Sequence, residues 1–386
     1  AYNDENSNYK PLPFDFSRAS SATVINKDGL IEEVGSGQPR IDYKDDSNGA
    51  LLLEPTRTNL ITYSEDFSDS SWNVFRASIN ANSIISPDGT LNANKLNGST
   101  DNNTHYIAPN ISYSLGSYSA SIFAKKGTLN FLYIWFTGAG NVFDEEKVWF
   151  DLENGTIGTI QSPIEASIED YGNGWYRCAA KSTADVAANG RIAFGISNAD
   201  NVSTFTGSES DNIYLWGAQS EQGSYPTSYI PTQGAAVTRL GEESNLSNIN
   251  NLIGANQGSW FLDWDIANSD TRDNANIGFE LSSDNNQDEL NFSIGSDGNM
   301  RMFIRVNDTY SQKYTTTNKS GKWCLVWNTS SLKLFQDGLQ VYSDEDVLVY
   351  SSYTTYDISA NIQYKLNNTQ LFNTALTDQE AIALTQ

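Results

Sequence analysis

The chain has 386 residues, with 23 lysines and arginines against 47 aspartates and glutamates, so its formal net charge is −24. A chain this acidic repels phosphate backbones, and binding to duplex DNA or RNA is therefore not expected. No run approaches the roughly 18–20 apolar residues of a membrane span, so membrane insertion is not expected either. Hydrophobic residues make up 38% and aromatic residues 12% of the chain, a composition that favours β-rich domains with polar loops over disorder.

Residues 1–58 are predicted to form a β-rich segment that packs on the sandwich following it. Residues 1–10 contain neither a basic nor an apolar stretch and are not expected to act as a signal peptide. Asp28-Gly29 lies between short apolar runs and predicts a hairpin. The apolar run 49–53 predicts a buried strand.

Residues 59–240 are predicted to form a sandwich of two antiparallel sheets. Strand-length segments alternate with turn sequences such as Pro87-Asp88-Gly89 and Gly172-Asn173-Gly174. No window sustains helical periodicity. Residues 241–257 are polar, rich in asparagine and without alternation, so they are predicted to form a linker or a short helix.

Residues 258–386 are predicted to form a second β-sandwich. Its strand-length runs include a hairpin with Asp337-Gly338 in the turn. Near the end of the chain, Thr377 and Glu380 have the spacing of a capping box and predict the start of a helix. The predicted fold class is therefore all-β, with two β-sandwich domains and a β-rich N-terminal segment.

Cysteine and histidine are scarce. Cys178 and Cys324 are too few for a disulfide framework or a zinc site and are predicted to be free, buried thiols in different domains. His105 is the only histidine, which disfavours Ser-His or Cys-His catalysis and multi-histidine metal centres. It lies in a polar loop and is expected at the surface.

Several strings resemble a module common in tailed-phage and prophage structural proteins. They include FDFSRASSATVI from residue 14, EPTRTNLITYSEDF from residue 54, YGNGWYRC from residue 171 and IYLWGAQ from residue 213. The resemblance implies a carbohydrate-binding-like jelly roll in a tail, fibre or adsorption protein, but it brings no binding residues. GSWF at 258–261 and FNTALTDQE at 372–380 are similar to laminin-G/concanavalin-A-like lectin domains, whose sandwich fold glycosidases and polysaccharide lyases share.

Aromatic residues on alternating strands predict a glycan-binding surface. Tyr133 and Trp135 share one face of their strand, and Trp149 and Asp151 share one face of the next. Sugar rings offer apolar C–H faces to aromatic rings and hydroxyl groups to polar side chains. The predicted carbohydrate-binding set is Tyr133, Trp135, Trp149 and Asp151, and the alternative is that these aromatic residues belong to a core or a subunit interface. Three further tryptophans are expected in cores: Trp175, Trp216 and Trp264.

Calcium is the one metal that the resemblance suggests. Sugar-binding jelly rolls often hold a structural Ca²⁺ with oxygen ligands. Glu65 or Asp66, near the first strand, and Asp211, beside a late strand, would supply the carboxylates, whereas the alternative is an ordinary solvated loop. Catalysis is not expected, because the acidic pair Asp263 and Asp265 lacks a glutamate at the spacing that glycoside hydrolases commonly use.

These observations predict a non-enzymatic phage or prophage tail protein, located in the virion, that binds cell-surface or extracellular polysaccharide. Other virion or tail proteins are its expected partners. A homotrimer stays open as the oligomeric state, although the N-terminal segment lacks coiled-coil heptads. The alternative is a secreted bacterial polysaccharide-binding protein or the binding part of a polysaccharide-degrading enzyme, and a structural protein that binds no sugar is a third.

Overall fold

The computed structural model describes residues 2–3, 9–10, 13–138, 142–254, 256–268, 278–284, 288–295, 297–345, 353–359 and 363–386. Over these ranges the protein consists of β-strands joined by turns, with one 3₁₀-helix and one α-helix. The predicted all-β sandwich fold class is confirmed. Residue 255 of the predicted linker lies outside the described residues.

The strands are numbered in chain order. Those of the N-terminal segment are β1 (Tyr2–Asn3), β2 (Tyr9–Lys10), β3 (Asp15–Ser17), β4 (Ala22–Ile25), β5 (Ile31–Val34), β6 (Arg40–Asp42), β7 (Ala50–Leu53) and β8 (Arg57–Asn59). Those of the middle of the chain are β9 (Trp72–Phe75), β10 (Ala77–Ile84), β11 (Ala93–Gly98), β12 (Asn102–Asn103), β13 (His105–Tyr113), β14 (Gly116–Lys126), β15 (Phe131–Gly138), β16 (Lys147–Asp151), β17 (Thr156–Ile160), β18 (Glu165–Asp170), β19 (Trp175–Ala184), β20 (Ala188–Ser197), β21 (Phe205–Thr206), β22 (Asn212–Gln222) and β23 (Val237–Arg239).

The remaining elements follow residue 240. The strands are β24 (Glu243–Ser247), β25 (Gly258–Asn268), β26 (Gly278–Ser282), β27 (Glu289–Ile294), β28 (Met300–Val306), β29 (Thr309–Thr316), β30 (Gly321–Trp327), β31 (Leu332–Gln336), β32 (Leu339–Asp344), β33 (Thr355–Ser359) and β34 (Gln363–Phe372). The 3₁₀-helix spans Ile249–Asn251, and the α-helix α1 spans Asp378–Thr385.

The chain forms two compact units, each built from separate segments. The central unit comprises Ala22–Glu33 and Arg57–Arg239. The terminal unit comprises Ala1–Ser21, Val34–Thr56 and Leu240–Gln386. This corrects the prediction that residues 1–58 pack on the first sandwich, because most of that segment clusters with the end of the chain.

The central unit is a sandwich of two six-stranded antiparallel sheets. Their strand orders are β10-β11-β22-β14-β19-β18 and β17-β16-β15-β20-β13-β9. Apolar side chains of both sheets meet between them, as the alternation along each strand predicts. Fully buried members of this core include Leu96, Ile122, Leu132, Ile134, Phe136, Phe150, Phe194 and Leu215.

The terminal unit is also built on two large sheets. One contains β2-β1-β34-β25-β30-β31-β32, with β7 on β34 and β6 on β7, and the other is β29-β28-β27-β26-β33-β24-β3. Its core is rich in tryptophan, and Trp264 is buried in it as expected. Helix α1 covers a smaller apolar cluster that contains Phe261, Cys324 and Ala381.

The predicted linker 241–257 is not a linker along its whole length. It contains β24, which pairs with β33 over five residues and with β3 over three. Ser244 and Leu246 are buried while Glu243, Asn245 and Ser247 are exposed, so the strand does alternate. The alternation is hard to see in the sequence because a serine occupies one of the two buried positions.

A buried network of charges joins the segments of the terminal unit. A carboxylate oxygen of Glu242 accepts from Arg18 at 3.1 Å and from Nε of Arg40 at 2.7 Å. Arg40 also pairs with Glu54 at 2.8 Å, and all four side chains are fully buried. Burial alone would lower the pKa of Arg40, but the carboxylates of Glu54 and Glu242 outweigh it and raise that pKa. Buried charges are stable only when each has an oppositely charged, hydrogen-bonded partner, as the four residues of this network do.

Other local predictions are confirmed. The hairpins at Asp28-Gly29 and Asp337-Gly338 form between β4 and β5 and between β31 and β32. Thr377 and Glu380 make both hydrogen bonds of a capping box at the start of α1. The two cysteines are free and buried, and they lie in different units.

We expect Glu242→Ala to lower the free energy of unfolding by about 3–5 kcal/mol, because it leaves two buried guanidinium groups short of a partner. Urea unfolding of the full chain measures this loss. Glu243→Ala, which removes the exposed neighbouring carboxylate, should change the stability by less than about 1 kcal/mol. Similar losses for the two variants would contradict the role assigned to the network.

Candidate functional site

The predicted sugar-binding residues lie on the outward face of the sheet β17-β16-β15-β20-β13-β9. Residues directly opposite one another on these strands form one row: Phe75, Tyr106, Gly195, Tyr133 and Trp149. We call this row, together with Trp135 and its neighbours Lys147 and Arg191, the aromatic patch. All five of its aromatic side chains come from two pairs of neighbouring strands, β9 with β13 and β15 with β16.

Gly195 explains how Tyr133 is placed. A Cβ atom added at Gly195 would lie 2.1 Å from the Tyr133 ring, so the ring lies flat over the glycine. Tyr133 is consequently 0% exposed. Its own hydroxyl has no hydrogen-bond partner among the described residues, and burial raises its pKa well above the usual range.

Trp149 is also buried, with 1% exposure. Its indole Nε1 donates to the backbone oxygen of Val202 at 3.0 Å, so the loop after β20 covers it. Tyr133 and Trp149 therefore share a face, as predicted, but neither offers a free ring face to a sugar. For these two residues the alternative of a buried aromatic cluster describes the structure better than an open binding face.

Trp135 is the predicted residue that stays accessible, because it is only half-buried. Its ring meets Tyr106 edge to face, with centroids 5.8 Å apart, and Tyr106 in turn stacks on Phe75 at 5.1 Å. Two small residues of the same sheet, Ala193 on β20 and Ala108 on β13, are fully buried in the same cluster. Nε1 of Trp135 is buried and has no hydrogen-bond partner in the described part of the chain.

Asp151 has a local structural role. Its carboxylate accepts from the backbone nitrogens of Glu153 and Asn154 at 2.9 and 3.2 Å and from the side chain of Asn154 at 2.8 Å. It thereby closes the turn between β16 and β17. The carboxylate predicted to bind sugar hydroxyls is thus already engaged by the protein.

Five residues of the patch were not predicted from the sequence: Phe75, Tyr106, Lys147, Arg191 and Gly195. Lys147 is the direct cross-strand neighbour of Trp135, and its Nζ lies 4.3 Å from the centre of the indole ring. Phe75 and Tyr106 come from β9 and β13, distant from β15 in sequence. Alternation within each strand was visible, but the pairing that brings these strands together was not.

The structure does not bring the three predicted calcium ligands together. Asn94 donates to the backbone oxygen of Glu65, whereas Gly98 donates to that of Asp211. Asn94 and Gly98 lie four residues apart on β11, so their Cα atoms are about 13 Å apart at roughly 3.3 Å per residue. Asp66 accepts from Ser68 in a turn of its own. The described residues contain no cluster of three or more metal-ligating side chains, so these three do not form one donor set.

Glu65 has a defined environment nevertheless. Its carboxylate accepts from the Tyr229 hydroxyl at 2.9 Å and from the Asn92 amide at 3.2 Å. Burial, reinforced by the Asp88 carboxylate, raises the pKa of Glu65. Trp216 packs at 4.7 Å from Tyr229 and is buried, as is Trp175, which agrees with their expected place in a core.

His105 is buried, contrary to the expected surface position. Its ring nitrogens contact the backbone oxygens of Arg76 at 2.6 Å and Phe205 at 3.3 Å. The polar residues before it form the short strand β12, which pairs with β21. Phe205 of β21 packs edge-on against the imidazole. His105 is the first residue of β13 and is covered by β21, so it does not lie in an open loop.

A pocket of about 670 Å³ lies on the other sheet of the central unit. Its wall is mostly apolar and includes Leu30, Ile84, Leu91, Trp175 and Tyr214. The ammonium group of Lys125, also in the wall, donates to the backbone oxygen of Asn173 at 2.5 Å. The pocket has the size of a small-molecule site, and its wall also includes the polar side chains of Ser86, Lys125 and Asn173.

The terminal unit carries a carboxylate pair on its seven-stranded sheet. Glu280 of β26 lies directly opposite Asp357 of β33. Burial, followed by the charges of Glu289 and Asp357, raises the pKa of Glu280 to about 7. Burial and the Glu243 carboxylate raise the pKa of Asp357 as well. This face therefore takes up protons more readily than ordinary carboxylates do.

No known family matches the chain, and no curated protein is significantly similar to it. Among the described residues, no helix is both long and apolar enough to cross a membrane.

We expect Gly195→Ala to destabilise the protein by about 1–3 kcal/mol, because the new methyl group overlaps the Tyr133 ring. Thermal unfolding measures the loss. Gly35→Ala is the control, since its Cβ would meet only Gln38 at 3.7 Å. Equal melting temperatures for the two variants would show that Tyr133 does not rest on the glycine.

The raised pKa of Glu280 predicts a pH dependence of stability. Its pKa is about 7 in the folded protein and about 4.3 in an unfolded chain. The folded state therefore binds this proton more tightly, and the free energy of unfolding falls as the pH rises from about 4.3 to about 7. Glu280→Gln should remove this fall and stabilise the protein at pH 8 by about 1 kcal/mol, allowing for solvent screening.

Urea unfolding at pH 4.5 and pH 8 separates charge from packing in this variant. At pH 4.5 Glu280→Gln and the parent protein should be nearly equally stable. A similar gain at both pH values would contradict the assigned role of the Glu280 charge.

Proposed function

We propose that the protein attaches to surfaces by binding glycans at the aromatic patch of the central unit. The observation that supports this most directly is the half-exposed Trp135, set beside Tyr106 and Phe75 on an outward sheet face. Rigid aromatic side chains supply large apolar contact areas and are common binding hot spots. The C–H face of a sugar ring matches such a surface in shape and polarity.

Two polar atoms of the patch are closed to solvent and, among the described residues, unpaired. The hydroxyl of Tyr133 and Nε1 of Trp135 are both buried and have no hydrogen-bond partner among the described residues. A buried polar group without a partner costs free energy, about 1–3 kcal/mol. Because neither atom reaches the surface, the proposal rests on the exposed part of Trp135 and on its aromatic neighbours.

The proposed setting is the virion. The motifs shared with tailed-phage and prophage structural proteins favour a tail or adsorption protein whose partners are cell-surface polysaccharides and other tail proteins. The alternative is a secreted bacterial polysaccharide-binding protein or the binding part of a degrading enzyme. Neighbouring genes for tail and baseplate proteins would favour the first setting, and a secretion signal encoded upstream would favour the second.

We expect Trp135→Ala to weaken glycan binding at least tenfold while changing the melting temperature little, because the side chain is half-exposed. A glycan array with the intact chain identifies the ligand, and titration calorimetry then measures the affinity. Trp149→Ala should behave differently, since removing a buried tryptophan costs about 3–5 kcal/mol of stability.

Tyr214→Ala provides the matched control for binding. Tyr214 is an aromatic residue of the same unit that lines the apolar pocket on the other sheet. Its replacement should leave glycan affinity unchanged. Loss of binding in Tyr214→Ala and not in Trp135→Ala would move the site to the pocket, and an array without any bound glycan would overturn the proposal.

A further inference from the structure

Two positively charged side chains flank Trp135. Lys147 lies opposite it on β16, and Arg191 lies on β20, which pairs with the other edge of β15. Arg191 is level with Thr137, two residues beyond Trp135 along β15. The Cα atoms of Lys147 and Arg191 are therefore about 12 Å apart, given roughly 4.8 Å between strands and 3.3 Å per residue. Both side chains lie on the outward face, Lys147 beside Trp135 and Arg191 beside Tyr106.

The ammonium group of Lys147 has no acceptor in the described structure. Its Nζ lies 4.3 Å from the centre of the Trp135 ring, and the described residues supply it with neither a carboxylate nor a carbonyl oxygen at hydrogen-bond distance. Burial, partly offset by the charge of Glu145, lowers the pKa of Lys147. A partly desolvated cation without a hydrogen-bonded partner is costly, and an anionic ligand would remove that cost.

Arg191 is oriented but carries no counter-charge in the described part of the chain. Its Nε donates to the side-chain oxygen of Asn110 at 2.8 Å, and it also interacts with the hydroxyl of Tyr106. The remaining donors of the guanidinium group are suited to a carboxylate or sulfate, which they bind in a fork. Glu145, whose charge acts on Lys147 and Tyr106, accepts from the hydroxyl of Thr137 at 2.7 and 2.8 Å.

Several lysines elsewhere in the chain are paired with a carboxylate, whereas among the described residues Lys147 is not. The chain has 47 acidic residues against 23 basic ones, and several of its lysines have a carboxylate close by. Ion pairs of this kind include Lys126 with Glu153, Lys181 with Glu165, Lys313 with Asp344, Lys333 with Asp378 and Lys365 with Asp42. Other described lysines, such as Lys95 and Lys322, are also in no ion pair. It is therefore the position of Lys147 and Arg191 beside the aromatic rings of the patch that indicates a site for an anion.

We propose that the aromatic patch selects anionic glycans, with the sugar ring packed on Trp135 and its carboxylate or sulfate group held by Lys147 and Arg191. This inference rests on the proposed glycan-binding function and narrows its ligand class. An anionic polymer also meets long-range repulsion from a chain of net charge −24, so binding depends on the local positive charge of the patch. Removing either cation then has a larger effect than the loss of one contact.

The test compares charged polymers with neutral forms of the same backbone. Affinities of the full chain are measured for polygalacturonate and its carboxyl-reduced form, and for dextran sulfate and dextran. We expect at least tenfold tighter binding to the anionic member of a pair, and weaker binding in 500 mM than in 50 mM NaCl because salt screens the ion pairs. The pair that shows the difference identifies carboxylate or sulfate as the recognised group.

Variants assign the effect to the patch. Lys147→Gln and Arg191→Gln should each weaken binding of the anionic polymer about tenfold at an unchanged melting temperature. Lys181→Gln removes a lysine paired with Glu165 on the other sheet and should leave the affinity unchanged. An equal loss in all three variants would indicate a nonspecific charge effect and overturn the proposal.

The charge selectivity and the underlying function fail in different ways. If charged and neutral polymers bind equally and Trp135→Ala abolishes both, the patch binds glycans but the selectivity for anions is wrong. If none of the four polymers binds, and an array of neutral and anionic glycans is also negative, the proposed function fails together with the inference.

Discussion

Two arginines and two glutamates without contact with water hold the terminal unit together. Glu242 pairs with Arg18 and Arg40, and Arg40 also pairs with Glu54. These residues come from all three segments of the unit, so the network exists only when the three segments are assembled. Since an incomplete set of buried charges is strongly unfavourable, the network makes partial assembly costly. All three segments are therefore needed for these buried charges to be paired.

In the central unit the equivalent constraint is one of space. Gly195 leaves room for the ring of Tyr133 to lie on the sheet, and Ala193 and Ala108 belong to the same buried cluster. Large rings thus fill the space that small residues leave on neighbouring strands. Tyr133 supports the patch from below, while Trp135 remains accessible. The same packing that stabilises the outward face also shapes the surface at which we propose that glycans bind.

The charge distribution connects this surface to its proposed ligand. Most of the protein is acidic, and many of its lysines are neutralised by nearby carboxylates. Lys147 and Arg191 are in no ion pair in the part of the chain that the structure describes, and both lie in the aromatic patch. They lie beside aromatic rings, which tolerate a cation at their face but do not replace a counter-ion. The two cations give the patch a local positive charge on an acidic protein, and this is the basis of the selectivity that we propose.

The sequence by itself determined the local structure: the all-β class, the turns at Asp28-Gly29 and Asp337-Gly338, the capping box at Thr377, and the shared face of Tyr133 and Trp135. Each depends on residues a few positions apart, whose preferences act before the chain has folded. Only the tertiary structure decided which strands become neighbours. It placed most of the N-terminal segment with the end of the chain and made β24 a sheet strand. It also buried Trp149 under a loop and His105 under β21. Finally, it brought Tyr106 and Arg191 to the sheet face that carries Trp135. Strand pairing between distant segments leaves no periodic pattern in a single sequence, because it depends on the packing of whole sheets.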